Sequence, residues 1–140
     1  MIVLDASVIS ELMRTEPHPV VLAWVAARSR ATLYTTSISQ TEILYGIAML
    51  PAGRRRTALA AAAEAVFAED LAGRVLPYDG AAAGRYPEIV VARRRAGNPI
   101  EAFDALIAAI ALSVGAGVAT RDTNGLDGCG LDVVNPWASR

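Results

Sequence analysis

The 140-residue sequence predicts an α/β protein whose small, mostly parallel sheet is covered by helices on both faces. Short apolar runs alternate with longer segments of helical periodicity, in the order β, α, α, β, α, α, β, α, α, β, β. Strands joined by helical crossovers lie parallel between two helical layers, so we expect a three-layer α/β/α sandwich. The length corresponds to one domain, residues 1–140.

Five short runs rich in Val, Leu and Thr are the predicted strands. They are IVLD at 2–5, ATLYTT at 31–36, RVLPYD at 74–79, GVAT at 117–120 and LDVVNP at 131–136. Their apolar, β-branched composition and short length favour strands over helices.

Six longer segments between these runs are the predicted helices. They span 7–13, 17–28, 38–48, 53–70, 79–96 and 99–114, and glycines at 73, 97 and 115 close several of them. For the last helix, Asn98 as N-cap, Pro99 at the first position and Glu101 at the third give a complete start signal.

Composition excludes several classes of function. All 13 basic residues are arginine, which removes P-loop and Schiff-base chemistry. The net charge of -1 gives no overall basic field, so any contact with nucleic acid must be local. His18 is the single histidine, which argues against a histidine triad or a His/Cys zinc site.

Other features predict a cytoplasmic protein. The single cysteine, Cys129, permits no internal disulfide. The longest charge-free run, 105–120, is too short for a membrane helix and is interrupted by glycines. The first residues, MIVLDASVISELM, lack the basic start of a secretory signal.

Four carboxylates are expected at one edge of the sheet. In open α/β sheets, ligands bind beyond the carboxyl ends of the strands, where the strand order reverses. Asp5 ends the first strand and Asp122 follows GVAT by two residues, while Glu42 and Asp104 lie near the starts of two helices. Asp104 also interrupts the apolar surface of IEAFDALIAAIALSV, where an isolated charge is costly.

Each of these acids also has a purely structural interpretation. Asp5 and Asp122 are suited to Asx turns. Glu42 matches a capping box with Ser39. Asp104 has the weakest structural interpretation, because the predicted helix start places it beyond the first turn, where the helix dipole has little effect.

The acids match the chemistry of divalent metal ions. Clustered oxygen ligands suit Mg²⁺ or Mn²⁺, and two such ions about 4 Å apart can activate water and stabilise both oxygens in phosphodiester cleavage. A carboxylate-only glycosidase is disfavoured because aromatic residues, at 6% of the chain, are too few to line a sugar cleft. Asp104 is therefore predicted to hold metal.

Four segments together resemble the PIN-domain ribonucleases and, among them, the VapC/FitB-like toxins of type II toxin–antitoxin systems. They are MIVLDASVISEL, SISQTEILYGI, FDALIAAIA and ATRDTNGLDGCGLDVVNPW, in the expected order and spanning essentially the whole chain. The resemblance implies a PIN-like sandwich and assigns the catalytic, metal-binding quartet to Asp5, Glu42, Asp104 and Asp122. It also implies Mg²⁺- or Mn²⁺-dependent RNA cleavage, a homodimer and a cognate antitoxin.

Two positions near the quartet are candidate supporting residues. Ser7 stands where the family commonly has Asn, and its hydroxyl can still hydrogen-bond a ligand or water. Thr120 matches a position where the family keeps a small hydroxyl residue near the metal, although it also fits an ordinary strand end. Asn124 and Asp127 are interpreted as turn formers and Glu101 as a capping residue.

The remaining features leave other readings open. The arginine runs 54–56 and 93–95 fit solvated helix faces, phosphate contacts or contacts to an acidic antitoxin segment. Residues 9–25 could form a groove for a partner helix, and Trp24 and Trp137 are interpreted as core. Alternative functions are an inactive PIN-like binding module and a DNA-directed nuclease of the same fold.

Overall fold

The computed structural model describes residues 1–138 and contains a five-stranded sheet with every strand pair parallel. The strands are β1 (Ile2–Leu4), β2 (Leu33–Thr36), β3 (Val75–Leu76), β4 (Gly117–Ala119) and β5 (Val133–Val134). Their order across the sheet is β3-β2-β1-β4-β5. Ile2 of β1 pairs with Leu33 on one side and with Gly117 on the other.

Helices fill the connections as the sequence predicts. They are α1 (Ala6–Leu12), α2 (Pro19–Ala26), α3 (Ser37–Ala48), α4 (Arg54–Ala65), α5 (Gly80–Arg95) and α6 (Ala102–Val114). The predicted helix 53–70 is not uniform, because α4 passes into a π-helical turn over Val66–Asp70. None of the helices in residues 1–138 has the length and apolar character needed to span a membrane.

The predicted start of the last helix is wrong by three residues. Glu101 is the N-cap, and its carboxylate accepts a hydrogen bond from the backbone N–H of Asp104. Asn98 is instead held by Arg93, whose Nε donates to the Asn98 carbonyl at 2.7 Å. The Asn98 backbone is thus bonded to the end of α5, and the Glu101 side chain caps α6 in place of Asn98.

Two apolar clusters cover opposite faces of the sheet. Alternate residues of a strand point to opposite faces, so Val3 and Val118 lie in one cluster, and Leu4 and Ala119 in the other. The first cluster is completed by α5 and α6, and the second by α1 to α4. This arrangement confirms the predicted three-layer α/β/α sandwich.

The order of strands brings the ends of β1 and β4 together. These two strands are adjacent in the sheet but far apart in sequence, and β1 is the point at which the strand order reverses. Because all strands are parallel, the residues that follow β1 and β4 leave the sheet at the same edge. This edge, called the acid edge below, carries Asp5 and Asp122.

Candidate metal-dependent active site

The structure brings the four predicted acids together at the acid edge. Asp5 follows β1, Asp122 follows β4, Glu42 lies in the second turn of α3 and Asp104 in the first turn of α6. The charges of Asp5 and Asp104 act on Glu42, and those of Asp5 and Asp122 act on Asp104. The four carboxylates therefore share one electrostatic environment.

Asp5 has both a structural contact and a free ligand atom. Its Oδ1 accepts hydrogen bonds from the backbone N–H of Ser7 at 3.0 Å and of Val8 at 3.3 Å, and from the Ser7 hydroxyl at 2.5 Å. Asp5 is thus the N-cap of α1, close to the Asx-turn interpretation. Its Oδ2 accepts no hydrogen bond from residues 1–138, so this oxygen remains available to a cation.

The loop after β4 is attached to Asp5 through Ser7. The Ser7 hydroxyl donates to Asp5 and accepts a hydrogen bond from the backbone N–H of Arg121 at 3.1 Å. Thr120 acts on the other side of Arg121, because its Oγ1 accepts a hydrogen bond from the backbone N–H of Asp122. Both hydroxyls therefore fix the backbone that carries the acids.

Glu42 takes no part in capping α3. The N-cap is Thr36, whose hydroxyl accepts a hydrogen bond from the backbone N–H of Ser39 at 3.0 Å. The capping-box interpretation of Glu42 with Ser39 is therefore wrong, because α3 begins at Ser37, directly after β2. The carboxylate of Glu42 receives no hydrogen bond from residues 1–138.

Asp104 lies closer to the helix start than the sequence indicated. With Glu101 as N-cap, Asp104 is the third residue of α6 and lies in the first turn. The expectation that it lies beyond the reach of the helix dipole is wrong. Its half-buried carboxylate nevertheless receives no hydrogen bond from residues 1–138.

Burial and mutual repulsion disfavour the charged forms of two of these acids. Burial, followed by the charges of Asp5, Asp104 and Glu101, raises the pKa of Glu42 to about 7. Burial, followed by the charges of Glu101, Asp5 and Asp122, raises the pKa of Asp104 to about 6, although Arg93 opposes this shift. The site therefore holds more negative charge than the surrounding protein stabilises.

Arg93 and Gly125 contribute to the site and were missed at the sequence level. Arg93 is 5% exposed, and its Nη1 donates to the carbonyls of Gly125 and Asp127 at 2.9 Å each. The interpretation of Arg93 as part of a solvated face is wrong. A Cβ on Gly125 would lie 2.9 Å from Oδ2 of Asp104 and 3.4 Å from Oδ2 of Asp122.

The donor set is suitable for a hard divalent cation. Mg²⁺ commonly binds through one or two carboxylates and keeps several waters or takes phosphate oxygens. Within residues 1–138, no three His, Cys, Asp or Glu side chains are grouped so that they could hold one ion by themselves. Any cation bound by these carboxylates would therefore keep positions for water and for a substrate phosphate.

Comparisons with known proteins agree with the geometry. Residues 2–127 match the PIN domain family. The VapC ribonuclease Y4jK of Sinorhizobium fredii is 44% identical over 98% of this chain and 98% of its own length. Toxin FitB of Neisseria gonorrhoeae is 36% identical over 98% of this chain and 99% of its own. The solved structure of FitAB bound to an IR36 DNA fragment superposes with a TM-score of 0.92 at 35% identity, covering 100% of this chain and 98% of the other.

Proposed function

Because the chain belongs to the PIN-domain family and, within it, to the VapC/FitB-like toxins, we propose that it is an endoribonuclease toxin that depends on Mg²⁺ or Mn²⁺. The observation that carries this proposal is the meeting of Asp5, Glu42, Asp104 and Asp122 at the acid edge. The relative named a ribonuclease supports RNA as the substrate. We propose that the enzyme acts in the cytoplasm.

The four carboxylates have different proposed roles in the reaction. A bound divalent cation supplies water activation and charge stabilisation for phosphodiester cleavage. The free Oδ2 of Asp5 and the unbonded carboxylate of Asp104 would be its first two ligands, and Asp122 would approach it directly or through water. Glu42, whose carboxylate accepts no hydrogen bond from residues 1–138, would either bind the cation or accept a proton from the attacking water.

Supporting residues keep the acids in place. Ser7 joins Asp5 to the loop after β4, and Thr120 fixes the backbone of Asp122. Arg93 holds the carbonyls of Gly125 and Asp127, so that Gly125 lies against the Asp104 and Asp122 carboxylates. These contacts set the carboxylates before substrate arrives, which reduces the reorganisation needed during the reaction.

We also propose an antitoxin partner and a homodimer. FitAB, a complex that contains the relative FitB, supports the antitoxin. An apolar groove of about 300 Å³, lined partly by Ile9, Leu12, Leu22 and Val25, is a candidate surface for it. Exposed apolar side chains at the C-terminal end of α3, Tyr45 at 65% and the C-cap Met49 at 67%, are consistent with a further protein contact.

Cleavage of matched RNA and DNA oligonucleotides by the purified protein tests the enzymatic proposal. We expect RNA cleavage with Mg²⁺ or Mn²⁺, none in chelator, and little cleavage of DNA. Asp104→Asn should lower the rate at least a hundredfold, because it removes a charged ligand at nearly constant volume. Asp132→Asn is the matched control, since Asp132 is exposed at the opposite edge of the sheet, where its carbonyl pairs with Val118.

Two results would contradict the enzymatic proposal. Near-full cleavage by Asp104→Asn would exclude Asp104 as a metal ligand, and failure of the unsubstituted protein to cut any RNA of a mixed panel would favour an inactive binding module. A separate test in cells addresses the toxin proposal. Expression of the chain alone should arrest growth, and co-expression of the neighbouring gene should relieve the arrest.

A further inference from the structure

Two arginines lie over tryptophan rings, and they differ in what else they contact. Cζ of Arg28 is 3.7 Å from the centroid of the buried Trp24 ring, and its Nη1 donates to the Trp24 carbonyl. Cζ of Arg121 is 5.0 Å from the centroid of Trp137. Within residues 1–138, the Arg121 guanidinium makes no hydrogen bond and no ion pair, even with neighbouring Asp122.

Stacking on a ring leaves the hydrogen-bonding capacity of an arginine intact. A guanidinium contacts an aromatic face with its own flat face, whereas its five N–H donors lie in its plane. Arg121 is exposed, and its guanidinium donors have no partner in residues 1–138. Trp137 is half-buried and packs against the second apolar cluster, so the ring that supports Arg121 is anchored in the core.

The backbone around Arg121 is fixed to the acid edge. Its N–H donates to Ser7, which also bonds Asp5, and its carbonyl accepts a hydrogen bond from Asn135 Nδ2 at 3.5 Å. Asn135 Oδ1 accepts in turn from the backbone N–H of Trp137 at 2.9 Å. The arginine, its supporting ring and the carboxylates are therefore parts of one connected structure.

We propose that Arg121, supported by Trp137, binds a phosphate of single-stranded RNA next to the phosphate that is cleaved. This inference rests on the proposed ribonuclease function. A polyanion that approaches four carboxylates needs a nearby cation, and the planar guanidinium fork matches phosphate oxygens. Arg121 directly precedes Asp122 in the chain, so the backbone segment that carries this cation also carries one of the acids.

RNA affinity measured as a function of salt concentration tests the proposal. The probe is a fluorescein-labelled RNA oligonucleotide that the unsubstituted protein cleaves, and every binding variant carries Asp104→Asn so that the probe stays intact. We expect Arg121→Gln to weaken binding about tenfold. The slope of log Kd against log salt concentration should fall by about 0.7, the value for one phosphate contact on a single strand. Arg121→Lys should bind the RNA more weakly than the parent protein and more tightly than Arg121→Gln.

Arg30→Gln is the matched control for the loss of one positive charge. Arg30 is exposed and lies just before β2, at the edge of the sheet opposite the acids. Arg30→Gln should leave the slope of log Kd against log salt concentration unchanged.

Trp137→Phe keeps a smaller ring and should cause a milder loss of affinity than Arg121→Gln. With Asp104 intact, Arg121→Gln should raise KM much more than it lowers kcat.

The outcomes separate this inference from the proposed function. If the parent protein binds and cleaves RNA while folded Arg121→Gln and Arg30→Gln show the same affinity and the same salt slope, the inference is wrong and the proposed function stands. If the parent neither binds nor cleaves RNA, both are overturned. Thermal melts of each variant identify an affinity loss that comes from unfolding. If Arg121→Gln is unfolded, the affinity and salt slope of Arg121→Lys are compared with those of the parent protein instead.

Discussion

The two acids that follow strands, Asp5 and Asp122, differ from the two that lie in helices, Glu42 and Asp104. The difference is how far the protein stabilises their negative charge. Asp5 accepts three hydrogen bonds from Ser7 and Val8, and Asp122 accepts one from the Gly125 N–H. The carboxylates of Glu42 and Asp104 accept none from residues 1–138, and burial raises the pKa of both. One pair therefore helps to hold the fold, whereas the charged forms of the other pair are destabilised.

This difference has a structural origin. An acid at the end of a strand lies beside the first free N–H groups of the next helix, which can bind one of its oxygens. Glu42 lies in the second turn of α3, where the backbone donors are already used, and at the start of α6 the N–H of Asp104 is bonded by the Glu101 carboxylate. The fold thus fixes two carboxylates by local hydrogen bonds and brings the other two to them without compensation.

Glu42 and Asp104 are called the uncompensated pair below, because no hydrogen bond from residues 1–138 stabilises their charge. The largest expected effect is the rise in Tm when metal binds to this pair. A ligand at about 100 times its Kd stabilises a protein by roughly 2.7 kcal/mol, several degrees in Tm for a chain of this size. The wild type in Mn²⁺ should show this shift and Asp104→Asn much less. In chelator the order should reverse, with Asp104→Asn melting a few degrees above wild type because one repelling charge is gone.

A Tm of metal-free Asp104→Asn well below that of metal-free wild type would contradict the conclusion that the Asp104 charge destabilises the fold. Asp104 would then be a structural carboxylate, and the metal proposal would lose its main support. Asp132→Asn serves again as the control, because its exposed carboxylate lies far from the acid edge and should change neither melt.

In chelator, Asp5→Ala should lower Tm, whereas Asp104→Asn should raise it. Removal of the N-cap of α1 costs about 1 to 2 kcal/mol, because the N–H groups of Ser7 and Val8 lose their acceptor. The apo protein should therefore melt several degrees lower. Asp5→Asn keeps a capping oxygen and removes one charge that repels Glu42 and Asp104, so it should melt at or above wild type while losing RNA cleavage. Equal melting of Asp5→Ala and Asp5→Asn would show that the cap does not stabilise the fold.

The dependence of apo stability on pH should come from the uncompensated pair. Since burial and repulsion raise the pKa of Glu42 to about 7 and of Asp104 to about 6, the folded state holds their protons more tightly than the unfolded chain. This stabilisation is complete below about pH 4 and is lost as pH rises through 6 and 7. Tm in chelator should fall between pH 5 and 8.

A double variant identifies the groups that are responsible. Glu42→Gln combined with Asp104→Asn removes both titrating carboxylates, so its Tm should vary less over the same pH range. A fall in Tm that is equally steep in the double variant would assign the pH dependence to other groups.

The sequence predicted most of the fold and the positions of the four acids because both follow from local patterns. Apolar runs and helical periodicity located the strands and helices, and Asp5 and Asp122 follow strands directly in the chain. A parallel sheet necessarily brings such residues to one edge. The α/β/α sandwich and the family resemblance were confirmed, while the catalytic roles of the acids stay a prediction.

The contacts made by Arg93 could not be predicted because they join residues distant in sequence. It donates to Gly125 and Asp127, more than 30 positions away, and looked like one arginine of a solvated run. The same side chain also donates to the Asn98 carbonyl, five positions away, and α6 begins after Glu101 and not after Asn98. Local propensity is a weak guide where a buried charge needs several carbonyls.

The smallest expected effect concerns the two hydroxyls that support the strand-following pair. Ser7 makes two bonds that join separate segments, to Asp5 and to the N–H of Arg121, whereas Thr120 accepts one bond from Asp122. Ser7→Ala should therefore cost about 1 kcal/mol and Thr120→Val only about 0.5 kcal/mol, because Asp122 is exposed and water can replace the lost acceptor. Thermal melts in chelator measure both. A greater loss for Thr120→Val would mean that the loop after β4 is held by its own strand end, and that its bond to Ser7 stabilises it little.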